Sequence, residues 1–385
     1  MQIVSLERCD SYNEEAVYAA VEKLIDSLGG WKSFIRPGKK VALKPNLLTF
    51  KKPEEAATSH PSVVKAVISQ IQKAGGIVSI VESPGGPYST TILKHVYKTT
   101  GMEKIADQTG AILNYDLRVT KINTDQSKYI KQLEVLKPLT DADIVINLPK
   151  LKTHTMMTFT GAVKNMFGAI AGTAKADMHL RMADYMKFAD CLIDIFLSVK
   201  PTLNIMDAID GMEGYGPTNG SPRHIGVLLA STDGFSLDAT ALKMIGLPVK
   251  KVPVMFNASE RKLLDEEIKI AGEPIENLII NDYNIPLLNE HERAEKYDRG
   301  MMKHLKKRLR PKPEIQNSLC VECGTCIENC PPGVIIIGKD GKPDIDYKNC
   351  IRCFCCQELC THNAITIHRG MLSKMIMHKS MAGLK

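Results

Sequence analysis

Nine of the eleven cysteines in this 385-residue chain fall between positions 320 and 360, and their spacing limits what that stretch can become. Residues 320–331 read Cys320-Val-Glu-Cys323-Gly-Thr-Cys326-Ile-Glu-Asn-Cys330-Pro331. Residues 350–360 read Cys350-Ile-Arg-Cys353-Phe-Cys355-Cys356-Gln-Glu-Leu-Cys360. Both are C-x2-C-x2-C-x3-C. Two-residue spacers let three sulfurs of one tight loop converge on a single face, and the fourth follows about one helical turn onward. Cys9 and Cys191 lie far away. Such crowding is too uneven for a disulfide framework, and in a reducing compartment it points to metal.

The pair of runs resembles those of bacterial two-cluster ferredoxins, in which the fourth Cys of each run serves the other run's [4Fe–4S] cluster. Carried over residue by residue, the resemblance implies one cluster on Cys320, Cys323, Cys326 and Cys360, and another on Cys350, Cys353, Cys356 and Cys330. Zinc is the competing metal, with four thiolates per tetrahedral site. Zinc ribbons, however, separate their C-x2-C pairs, so the uninterrupted runs favour iron–sulfur. Between the runs, Val334–Ile337 and Pro343–Asp346 flank Lys339-Asp340-Gly341, a hairpin signal, and Ala364–Ile367 reads as a further short strand. Thr361 replaces the proline that follows the first run. Cys355 is an extra thiol, either a bystander, a ligand in a shifted register or a redox-active group. With eight thiolates and two oxidised cluster cores the formal charge of +7 falls to about +3.

That near-neutral balance, with one Trp and few other aromatics, gives no reason to expect nucleic-acid binding. An apolar content of 44% supports a sizeable core. No apolar run is long enough to span a membrane, and the first residues lack the features of a signal peptide, so a cytoplasmic protein without a membrane span is expected. Pro311 and Pro313 would stop a helix and mark a boundary between residues 1–310 and a ferredoxin-like domain with a basic tail, 311–385. The charged stretch before them, Lys303 to Lys312, reads as a solvated helix and linker, or as a docking site for an acidic redox partner.

Residues 1–300 alternate strand and helix patterns. Val63, Val67, Ile68 and Ile71 share one helical face behind Pro61, with Gly75-Gly76 as the stop. Strand candidates are 41–43, 77–81, 111–114, 144–148, 203–206 and 226–230. Short apolar strands separated by helices imply an α/β fold: a mainly parallel sheet covered by helices on both faces, plus a small C-terminal α+β ferredoxin-like domain. Ligands in such folds bind beyond the carboxyl ends of the strands. Lys44 and Asn46, the loop Ser83–Gly86, the stretch Asn147–His154, and Asp207, Asp210 and Glu213 all follow strand candidates. Gly161–Gly168 reads as a loop entering a helix.

At Lys44-Pro-Asn46, Asn147-Leu-Pro-Lys150-Leu-Lys152-Thr-His154, Gly161-Ala-Val-Lys164-Asn165 and Asp207–Gly214 the chain resembles the family labelled DUF362, a domain of unknown function often fused to a ferredoxin module. The resemblance implies an architecture and no substrate. On their own chemistry, Lys44, Lys150, Lys152, His154, Lys164 and Asp210 are the candidate catalytic set. Several lysines and a histidine at one sheet edge would make a cationic pocket for a carboxylate or phosphate, with the lysines or His154 as proton donors. Asp207, Asp210 and Glu213 would supply a base or bind a divalent metal, and each could equally cap a helix or pair with a lysine.

Three functions follow from these residues. One is an oxidoreductase that takes low-potential electrons from a ferredoxin or reductase, through two [4Fe–4S] clusters, to an anionic small molecule. Another is a non-enzymatic electron carrier or iron–sulfur assembly factor. The last is an acid–base enzyme whose clusters serve structure.

Overall fold

Alternation along short apolar strands decides how the main sheet is covered. The computed structural model describes residues 1–124, 126–286 and 310–369; the basic stretch 303–309 and the tail beyond 369 lie outside the described residues. The strands of the large domain are β1 (Gln2–Arg8), β2 (Lys40–Pro45), β3 (Ile77–Ile80), β4 (Ile112–Leu113), β5 (Val119–Asn123), β6 (Gln132–Leu136), β7 (Ile144–Leu148), β8 (Lys150–His154), β9 (Thr158–Thr160), β10 (Leu203–Glu213), β11 (Ser221–Ser231) and β12 (Ile268–Gly272). Except for the separate β5–β6 hairpin they form one sheet, ordered β12-β1-β11-β10-β7-β2-β3-β4, with β8 beside β10 and β9 beside β8. The pairs from β10 through β7, β2 and β3 to β4 are parallel. Only β11 and β9 run against their neighbours.

Val41 and Leu43 of β2 join Ile144, Ile146 and Leu148 of β7 in one apolar layer with the helices Glu14–Asp26, Pro61–Lys73 and Thr90–Thr99. Ala42 and Val145, the alternate positions, pack instead with the helix Tyr185–Val199. Met206, Val227 and Leu229 pack with Gly234–Met244. Side chains one residue apart thus serve opposite layers, as a two-residue repeat requires. The helix Pro61–Lys73 starts on proline behind an N-cap His60, whose Nδ1 accepts from the Ser62 N–H at 3.2 Å. It stops before Gly75, whose φ of +91° suits glycine and whose added Cβ would lie 2.9 Å from Pro37 Cα.

Pro149 shapes the site. It has no N–H to donate, and the extended chain breaks there into β7 and β8. β7 pairs with β2 on one side and with the start of β10 on the other; β8 keeps β10 but takes β9 as its second neighbour. The sheet therefore splits at the carboxyl ends of β2 and β8. Two expectations change here. Lys150–His154 is a buried strand rather than a loop, and β10 runs on through Glu213, so Asp207 and Asp210 are strand residues. Polar sequence hid both extensions, because partners distant in the chain compensate their burial.

In the C-terminal segment β13 (Lys312–Ile315) pairs with β16 (Ile365–His368), and β14 (Ile335–Ile337) with β15 (Pro343–Ile345) across the Asp340-Gly341 turn. No helix among the described residues is long and apolar enough to cross a membrane.

Candidate functional site

The two cysteine loops repeat one backbone path. Left-handed residues recur at matching places: Glu322 and Arg352 (φ 58° each), Gly324 and Phe354 (78° and 63°), Gly333 and Asn363 (64° and 53°). Gly324 and Phe354 precede single helical turns, Thr325–Glu328 and Cys355–Glu358. A phenylalanine in this conformation costs about 1–2 kcal/mol, and Phe354 is buried, so packing holds it there.

Cys320, Cys323, Cys326 and Cys360 line one small cavity, and Cys330, Cys350, Cys353 and Cys356 line another. Each combines three sulfurs of one run with the last sulfur of the other. Burial and neighbouring thiols push Cys326 up to about 11 and raise Cys356 well above the ordinary range. Two compact sets of four thiols, each drawn from both runs, fit iron–sulfur ligation. Cys355 lies outside both sets.

The second loop is fastened to the α/β domain. The Gln357 side chain donates to Tyr215 O at 2.9 Å and accepts from the Thr155 hydroxyl at 3.3 Å. Asn219 Nδ2 donates to Gln357 O at 3.2 Å, and the Thr218 hydroxyl to Glu358 O at 2.9 Å. Leu359 packs so closely on Gly85 that an added Cβ would lie 2.7 Å from its Cδ2. Between these contacts remains a cavity of about 370 Å³, with Lys44, Lys152, His154, Lys164, Lys175 and His179 on the α/β side and Cys330, Cys355 and Glu358 on the other.

The lysines there differ in their partners. Lys44 Nζ lies 2.9 Å from both Glu82 oxygens, a buried ion pair. Lys152 donates to Asn46 Oδ1 at 2.8 Å and Ala57 O at 2.6 Å, with no carboxylate. Lys175 donates to Ser83 O, Ser83 Oγ and Pro84 O, again without a carboxylate. The half-buried Lys164 ammonium lies 5.6 Å from the Phe167 ring and has no hydrogen-bonded partner among the described residues. Burial, reinforced by neighbouring lysines, lowers Lys152 and Lys175 to about 7; burial also lowers Lys164.

His154 Nδ1 accepts from the N–H groups of Met156 and Met157 at 3.1 and 3.2 Å. The ring proton of neutral His154 therefore sits on Nε2, which faces Glu358 Oε1 at 3.2 Å. Neither atom makes a well-formed hydrogen bond. Burial, then Lys164, His179 and Lys152, holds His154 well below the usual histidine range. It is a fixed neutral donor. Losing its proton would leave an imidazolate, so the expected proton-donating role passes to the lysines.

Residues 41–243 match the family described as "Domain of unknown function (DUF362)". The chain belongs to that family. Residues 312–361 match a 4Fe-4S dicluster domain, so the DUF362 region is joined to an iron–sulfur module. A thylakoid-associated protein of Synechocystis sp. is 34% identical over 287 residues, covering 74% of this chain and 87% of that protein. Lactate racemase apoprotein from Thermoanaerobacterium thermosaccharolyticum aligns with a TM-score of 0.37 at 13% identity, over 60% of this chain and 54% of that one. A Thermotoga maritima protein aligns at 0.35 and 13%, over 66% of this chain and 60% of that one. This chain thus spans less than two thirds of either solved structure.

Of the candidate residues in this DUF362 protein, Lys44, Lys152, His154 and Lys164 meet at the cavity; Lys150 and Asp210 do not line it. Lys150 binds Asp207 Oδ2 at 2.8 Å and the Tyr12 hydroxyl at 2.7 Å, fully buried. Asp210 lies 2.8 Å from His224 Nδ1, and Glu213 accepts from the Asn284 N–H. Among the described residues Asp207, Asp210 and Glu213 each engage a different partner. Cys9 and Cys191 are buried, and burial raises both thiols, Cys191 to about 12. Sequence reading missed Glu82, Lys175, His179 and Glu358. Glu82, directly before the Ser83 loop, was the discoverable one; Glu358 looked like filler inside a cysteine run.

Proposed function

We propose that this protein carries electrons through two [4Fe–4S] clusters to an anionic small molecule held in the cavity between its domains. One observation carries the reading: Cys330, a member of the Cys350/Cys353/Cys356 set, lines the same cavity as the lysines. When bound, the clusters supply electrons one at a time. A two-electron reduction therefore draws two single electrons from a ferredoxin or reductase and takes two protons. Cys323, Leu319 and Val321 are exposed and none lines the cavity, which supports electron entry on a separate face.

The chain's own groups do the rest. Lys164 and Lys152 attract and orient the anion, His154 Nε2–H donates to one of its oxygens, and Lys152 and Lys175 hold protons that can move near neutral pH. Glu82 neutralises Lys44, so that lysine shapes the wall more than it attracts the ligand. Leu359 and Phe167 limit water. The mobile protons also favour a second reading, an acid–base reaction with structural clusters.

Anaerobically purified protein tests both. The expected result is a broad visible absorption that bleaches on reduction, and a co-purified small anion, found by mass spectrometry, that re-oxidises the reduced protein. In Lys164→Ala re-oxidation slows by about tenfold or more while iron content stays the same. Turnover of the anion by protein held oxidised would select the acid–base reading instead.

A further inference from the structure

The cavity's charges are unevenly matched. Lys44 and Glu82 pair directly, and against Lys152, Lys164 and Lys175 the lining sets one further buried carboxylate, Glu358. Asp177 is exposed and pairs with Arg181 at 2.8 Å, and Glu328 is exposed at the rim. Two more features point the same way. The helix Gly172–Arg181 begins at the cavity wall with no side-chain cap, so the positive end of its dipole is unanswered. His154, only 1% exposed, lines the cavity with its Nε2–H 3.2 Å from Glu358 Oε1, and neither atom has a well-formed hydrogen bond. Three ammonium groups, a helix N-terminus and one neutral donor converge on a space suited to a small molecule.

We propose that the ligand is a doubly charged oxyanion, a phosphate ester or a short dicarboxylate, whose charges replace the missing carboxylate partners of Lys152, Lys164 and Lys175 and one of whose oxygens accepts from His154 Nε2–H. This rests on the cavity being the substrate site and narrows its substrate class. A single negative charge would leave the ammonium groups under-compensated in a low-dielectric space.

Proton linkage supports it. Lys152 faces Lys164 and Lys150 as like charges and Glu358 and Glu82 as opposite ones; Lys175 faces Lys44 and Lys164 against Glu82. Both lysines sit at about 7. A dianion stabilises their protonated forms, so binding takes up protons near neutral pH. Affinity is then greatest below about pH 7 and falls as both lysines deprotonate above it.

The test is calorimetric titration of the full holo-protein, clusters held oxidised, with sulfate as the tetrahedral probe and malonate as the dicarboxylate. Acetate is the singly charged control. At least one dianion should saturate a single site, acetate should not, and affinity should fall about tenfold or more between about pH 6.5 and pH 8.5. Lys164→Ala and the gentler Lys164→Gln should each weaken binding by about tenfold or more, with thermal transition and cluster absorbance unchanged. The arm that saturates more tightly identifies phosphate-like or dicarboxylate chemistry. Absence of saturable binding by both dianions, acetate binding equally well, or binding indifferent to both variants overturns the proposal. Because nothing is reduced here, saturable dianion binding together with a co-purified anion that never re-oxidises reduced protein overturns the electron-transfer reading and leaves this one standing.

Discussion

The two domains hold their shape by different means. In the α/β domain, β2, β7 and β10 are buried on both faces, and side chains such as Leu43, Ile146 and Phe188 have no exposure. Each such residue contributes about 1.5–3 kcal/mol relative to leaving it in water, and dozens of them oppose the entropy of ordering the chain. The ferredoxin segment buries little more than Ile335, Ile345, Ile365 and Cys356 in its own core, and leaves Leu319, Val321, Ile336 and Ile337 exposed. That core is too small to order some sixty residues, so the metal must supply the remainder. A layered apolar core tolerates the loss of one contact; a segment ordered by a bound iron–sulfur group does not tolerate the loss of that group.

Removing iron tests this contrast most severely. Anaerobic chelation is expected to abolish amide protection throughout residues 310–369 while β2, β7 and β10 keep theirs, as read by hydrogen exchange with mass spectrometry. Protection surviving in the segment without iron would break the comparison. The same division runs through the lysines of the α/β domain. Lys150→Ala leaves Asp207 buried without its cation and should cost about 3–5 kcal/mol in denaturant unfolding, while Lys164→Ala should cost less than about 1 kcal/mol. Equal losses would mean that Lys164 also serves structure. Acid gives the smallest effect. Burial, then Lys164, depresses His179 to about 3, so below about 6.5 the unfolded chain takes up a proton that the native ring refuses. Its stability contribution is complete above about pH 6.5 and disappears as pH falls toward 3, worth roughly 2–4 kcal/mol. His179→Phe, stacked on Phe188, should flatten that limb of the stability–pH curve.

What the sequence revealed follows from the range of the forces involved. The helix 61–73 was legible because its caps and apolar stripe are local, and β2, β3 and β7 because short apolar runs, β-branched in β3 and β7, declare themselves. β8 was not. Lys150, Lys152 and His154 look like loop residues until Asp207, Asn46 and Glu358, far away in the chain, are placed beside them. Likewise Lys44, Lys152, His154 and Lys164 were recognisable as chemistry, but nothing local separates the two lysines of Lys150-Leu-Lys152. Two positions apart on β8 they share a face by the two-residue repeat, and only their places along the strand take one to Asp207 and the other to Asn46 and the cavity. The cavity itself was invisible, because half of its wall belongs to another domain.

Gln357 and Glu358 occupy the places in the second cysteine loop that Ile327 and Glu328 hold in the first. Among the described residues the hydrogen bonds from the cysteine loops to the α/β domain belong to the second loop, whose Glu358 is buried beside ammonium groups, while Glu328 is exposed. The two halves of the repeated module therefore sit in unequal electrostatic surroundings. Under the proposed function, the direction of electron flow would be set less by the sulfurs than by which twin has a neighbour.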